Sequence, residues 1–72
     1  MTGQRLLRRL PRTCRQARQE GSHVRIECGE CRTTVPIHAG EDLPKGTLRA
    51  IERDLEPCLG RKWLRRPFRR DR

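Results

Sequence analysis

Apolar and polar residues alternate most clearly between positions 24 and 37. In VRIEC, Val24, Ile26 and Cys28 alternate with Arg25 and Glu27. In CRTTVPI, Cys31, Thr33, Val35 and Ile37 alternate with Arg32, Thr34 and Pro36. A period of two is that of a strand with one face buried. Gly29-Glu30 separates the runs, and a two-residue connection with glycine first suits a type II′ hairpin turn. That turn sets the register: Val24 faces Val35 and Ile26 faces Thr33 on one side, while Glu27 faces Arg32 on the other as an opposite-charge pair. Pro36 offers no backbone donor, so the second run reads as an edge strand near its end.

Helical spacing flanks the hairpin. Leu6, Leu7 and Leu10 make one apolar stripe on a short helix over residues 3–10, stopped at Pro11. Residues 12–20, RTCRQARQE, offer only Cys14 and Ala17 and fit either a weak edge strand ending at Gly21 or a frayed loop. HAGEDL, 38–43, reads as a loop, and Pro44 suits the first turn of a second helix. In PKGTLRAIERDLE the buried face is Leu48, Ile51 and Leu55, and Lys45, Arg49 and Arg53 form a separate basic stripe. Pro57 and Gly60 break the pattern, Trp63, Leu64 and Phe68 offer a last packed turn, and the end is otherwise a basic tail expected to fray. Helix, weak strand, hairpin, helix predicts an α+β domain. Two helices cover one face of a small antiparallel sheet and leave the other open.

Composition narrows what such a domain does. At 72 residues there is room for one small core, and 38% of the residues are charged. The net charge of +9 and the pI of about 11.2 suit an acidic partner, nucleic acid above all, with an acidic protein or an anionic membrane surface fitting the same charge. No window approaches the ~20 apolar residues of a membrane span. The basic N-terminal MTGQRLLRRLPR lacks the apolar run of a signal peptide. The chain therefore reads as cytoplasmic, and Cys14, Cys28, Cys31 and Cys58 as thiols.

If Val24 and Ile26 point inward, His23 and Arg25 point out. The register sets His23 against Pro36, so His38 lies diagonally from it, and diagonal neighbours are ~7–8 Å apart. An imidazole, which ordinarily titrates near pH ~6.5, takes and returns protons at neutral pH. RNA offers it a task. A ribose 2′-OH attacks the adjacent phosphate once a base removes its proton, and basic side chains stabilise the charge that builds there. Gly21 allows a backbone close approach. The plain alternative is that His23 is an ordinary surface residue, and that His38 serves only the turn in which it sits.

RQEGSHVRI, followed by TTVPIHAGEDLPKGTLRAI, resembles the HicA family, the mRNA interferase toxins of toxin–antitoxin pairs. The similarity covers roughly residues 3–56 and is densest from Arg18 to Ile51. The Gly-Ser-His step, the Thr-Val-Pro strand and Leu-Pro-Lys-Gly-Thr at the second helix occur in order. The resemblance implies a fold similar to double-stranded-RNA-binding domains, α-β-β-β-α, over residues 1–60, with 61–72 as a basic tail partly packed through Trp63. It also implies a metal-independent endoribonuclease with its catalytic histidine at His23, and a HicB-type antitoxin as partner besides mRNA. His38 is a candidate helper. Arg25, Lys45, Arg49 and Arg53 are candidate RNA-binding residues by position. The chain departs from the family pattern in PRTCRQAR, where an apolar first strand is usual, and at its C-terminal end.

Two rival readings stand beside this one. Cys28-Gly29-Glu30-Cys31 has the C-x-x-C spacing of a zinc knuckle or a redox pair. A second C-x-x-C is missing, and a hairpin with two cysteines on its core side accounts for the spacing without metal. The other rival is a non-catalytic double-stranded-RNA-binding module, gripping phosphates by shape through Lys45, Arg49 and Arg53.

Overall fold

The structure is a computed structural model that describes residues 1–64. Helix α1, Gly3–Arg9, is followed by strands β1, Cys14–Glu20, β2, His23–Cys28, and β3, Cys31–Pro36, and by helix α2, Lys45–Leu59. The strands form one antiparallel sheet in the order β1-β2-β3. This is the α+β, α-β-β-β-α arrangement that the sequence predicts.

The hairpin register is the one read from the pattern. Val24 pairs with Val35, Ile26 with Thr33, Glu27 with Arg32 and His23 with Pro36. Both tight turns of the meander, Gly21-Ser22 and Gly29-Glu30, begin with a glycine at positive φ, 60° and 63°. Their second residues stay at negative φ, as a type II′ turn requires. A side chain at Gly21 or Gly29 would strain the turn that sets the pairing.

Helices and sheet meet over β2 and β3. Leu6, Val24, Ile26, Cys28, Val35, Leu43, Ile51, Leu55 and Leu64 are buried together. Each fully buried Leu or Ile contributes about 1.5–3 kcal/mol. Thr2 caps α1, its Oγ1 accepting from the Arg5 N–H at 3.1 Å, and α1 packs so closely on the sheet end that a Cβ on Gly3 would collide with the Pro36 carbonyl oxygen. The 38–43 connection is fastened to the first residues: the Leu43 N–H donates to the Met1 carbonyl at 2.7 Å, and Thr2 bridges Asp42.

β1 resolves the ambiguity of residues 12–20 in favour of a strand. It buries none of its residues, because it has almost nothing apolar to bury. Two constraints hold it, the ladder to β2 and a disulfide between Cys14 and Cys28. A second disulfide joins Cys31 to Cys58, tying the hairpin tip to the last turn of α2. The expectation of four thiols is thus corrected, and no cysteine is free. The register places Cys14 opposite Cys28, and the packing of α2 on β3 brings Cys58 to Cys31. Neither proximity follows from spacing along the chain. Cys28 and Cys31 also do not act as a pair, since each is bonded elsewhere.

The predicted end of α2 is corrected as well. The helix continues through Pro57 to Leu59, and Pro44 is its N-cap rather than a residue of its first turn. A proline so near the C-terminus removes one intrahelical hydrogen bond. The Cys58 disulfide, the packing of Leu59 on the core and the Gly60 N–H donating to Glu56 O at 2.8 Å hold the final turn. Beyond it, Trp63 Nε1 donates to Glu52 O at 2.9 Å; Phe68 lies outside the described residues.

Gly3→Ala should destabilise the fold by about 1–3 kcal/mol, measured by denaturant titration, because backbone must move to admit the methyl group. The disulfides span 14 and 27 residues of sequence, and closing loops of that size is worth roughly 3 and 3.5 kcal/mol. Replacing Cys31 and Cys58 together by serine should lower Tm by about 14–28 °C. Thiol titration of the unfolded, unreduced protein checks the premise: no free thiol is expected.

Candidate active site on the open sheet face

The sheet face turned away from the helices is polar except for Pro36, and the registers arrange it in three rows. Arg15, Glu27 and Arg32 form the first, Arg18, Arg25 and Thr34 the second, and Glu20, His23 and Pro36 the third. A bulge makes this arrangement. Gln16 pairs with Ile26 but Arg18 with Arg25, so Ala17 is an extra residue in β1. Without it, strict alternation from Cys14 would carry Arg18 and Glu20 to the helix side. With it, both stand on the open face beside His23 and Arg25. A bulge next to a functional surface commonly re-aims side chains in this way.

His23 is exposed at the start of β2. It lines a shallow hollow with Arg18, Glu20, Arg25 and Thr34. Arg25 is therefore brought to His23, as expected. Arg18, Glu20 and Thr34 are neighbours that the sequence reading missed. Thr34 was legible in the alternation of β3, whereas Arg18 and Glu20 needed the bulge, which a single unremarkable alanine does not announce.

The remaining candidates lie elsewhere. Lys45 and Arg49 line a different depression, on the far flank of α2, with Met1, Leu48 and Leu64. Arg53 is exposed on the same helix. His38 is exposed in the turn after β3, where its carbonyl accepts from the Glu41 N–H at 2.9 Å. It does not line the His23 hollow.

Charge on the open face is unevenly cancelled. Arg15 Nη2 donates to Glu27 Oε1 at 2.9 Å, and Arg18 Nη2 lies 3.2 Å from Glu20 Oε2. The two carboxylates of the three rows are thus each held by an arginine of β1. Among the described residues, Arg25 and Arg32 have no ion-pair partner: Glu27 stands opposite Arg32 in the register, but the charge pair expected between them is replaced by Arg15–Glu27. The face presents two uncompensated guanidiniums, a threonine hydroxyl and an exposed imidazole within three neighbouring rows. That set suits a phosphodiester: guanidinium forks bind phosphate oxygens bidentately, and an imidazole moves protons. Among the described residues no group of three or more His, Cys, Asp or Glu could hold a metal ion, and no helix is long and apolar enough to cross a membrane.

Comparison with known proteins bears on this face. The family model for the HicA toxin of bacterial toxin-antitoxin systems matches residues 5–56, a span that runs from α1 through most of α2. No curated protein matches the chain, and no solved structure does.

The surplus of positive charge has a direct consequence. Glu27→Gln frees Arg15 and opens no cavity, so the variant should elute from heparin at higher salt than the wild type. Its Tm should stay within about 4 °C, as for an ordinary surface substitution.

Proposed function

Because the chain belongs to the HicA family, the toxin side of bacterial toxin–antitoxin pairs, we propose that it is an endoribonuclease that cuts messenger RNA and uses His23 as its general base and acid. The observation that carries this reading is His23 standing exposed on the open sheet face, in one hollow with the unpaired Arg25 and Thr34.

The chemistry needs no group beyond these side chains and the RNA. His23 takes the proton of a ribose 2′-OH as that oxygen attacks the adjacent phosphorus. The bond from phosphorus to the 5′-oxygen breaks, and the imidazolium returns a proton to that leaving oxygen. The products are a 2′,3′-cyclic phosphate and a 5′-hydroxyl. Arg25 stabilises the charge gathering on the phosphoryl oxygens. DNA, without a 2′-OH, is spared. Glu20 faces His23 across the strands, where its carboxylate can orient the ring. Lys45, Arg49 and Arg53, on another flank, grip phosphates of the strand farther from the cut. His38 is carried as a helper imidazole. In the cell, a HicB-type antitoxin covers the open face and silences the enzyme, and the free toxin cuts.

Wild-type protein incubated with RNA in chelator should produce cyclic-phosphate ends and leave a DNA strand of the same sequence intact. His23→Ala should lower the cleavage rate by about 10²–10⁴-fold while RNA binding changes little. His38→Ala should lower it by less. Wild-type cleavage rates retained by His23→Ala would exclude the imidazole from the chemistry. Binding without any cleavage would leave a double-stranded-RNA-binding module.

A further inference from the structure

A second depression adjoins the His23 hollow and has so far been given no role. It curves around the edge of β3, from the open sheet face to the flank of α2. Arg25, Arg32 and Thr34 line it from the sheet, and Gly46, Thr47 and Asp54 from the helix. Arg25 and Thr34 line both depressions, so the two adjoin along these side chains. We infer that this groove is a phosphate-binding subsite that holds the RNA backbone next to the cleaved bond, with Arg32 and Thr47 as its principal ligands; the inference rests on the ribonuclease reading of His23.

Three observations carry it. The first is charge: Arg32, like Arg25, has no ion-pair partner among the described residues, whereas Arg15 and Arg18 are each paired to a glutamate. Among the described residues the only carboxylate lining the groove is Asp54, whose Oδ2 accepts from Thr33 Oγ1 at 2.9 Å. The second is donor chemistry. A planar guanidinium with hydroxyls on facing walls is a set that phosphate oxygens accept from. The third is space. Gly46 has nothing within 4 Å of where a Cβ would stand, so the helix side of the groove is open to a bulky backbone. An RNA strand crossing β2 at His23 would place neighbouring phosphates along this path. The Lys45–Arg49 flank lies on a different side of α2.

The test separates the subsite from the chemistry by using RNA that cannot be cut. A single-stranded 2′-O-methyl oligonucleotide lacks the attacking hydroxyl, so its affinity reports the groove whatever His23 does. Arg32→Gln removes the charge. Gly46→Glu adds an opposing one where no atom is displaced, at a helix start that tolerates acids, so its Tm should not fall. Both variants should bind about tenfold more weakly. For Arg32→Gln the plot of log affinity against log salt should become shallower by about 0.7, the value of one phosphate contact on a single strand.

Unchanged affinity in both folded variants would overturn the subsite, as would a wild type that fails to bind the strand. Tighter binding of poly-glutamate than of the oligonucleotide, lost in both variants, would overturn it in favour of an acidic protein partner. If the variants lose affinity as expected while wild type cuts no RNA, the groove stands and the ribonuclease reading falls.

Discussion

Every placement on the open face depends on β2 burying Val24, Ile26 and Cys28 against the helices. A central strand with one apolar face has no freedom of register, since a slip of one residue would expose that face and bury Arg25 and Glu27. The two glycine-led turns transmit this choice to both neighbours. His23 therefore points to solvent because Val24 cannot.

The core is small, and the disulfides reinforce it where it is thinnest. β1 contributes no buried residue, and Cys14–Cys28 anchors it at the end away from the His23 hollow. Cys31–Cys58 fixes α2 at its C-terminal end, leaving the first turns of the helix to form one wall of the groove. The cross-links thus lie at one end of the sheet and the imidazole at the other. That separation lets the hollow stay polar and open without weakening the fold.

Electrostatics divides the arginines of the sheet into two kinds. Those of β1 neutralise Glu27 and Glu20. Those of β2 and β3, Arg25 and Arg32, have no ion-pair partner among the described residues. Exposed ion pairs add little stability, so their main effect here is on where positive potential remains. The combination of one proton-transfer group with unneutralised guanidiniums fits phosphodiester chemistry better than a uniformly basic adhesive face would.

Local periodicity determined much by itself. The alternation in 24–37 and the turn at Gly29-Glu30 specified the hairpin, its register and the outward direction of His23 and Arg25. The spacing of Leu48, Ile51 and Leu55 specified the packed face of α2. These are properties of neighbours along the chain, which side-chain geometry converts directly into faces. Only the tertiary structure decided the rest. The bulge at Ala17 depends on how two strands match across space, so Arg18 and Glu20 were assigned to the site by pairing and not by pattern. The disulfides bring together residues from different elements. The continuation of α2 past Pro57 rests on a bond and a packing contact that outweigh a local helix-breaking preference. The separation of the Lys45–Arg49 flank from His23 follows from how α2 lies on the sheet, which no periodicity within the helix encodes.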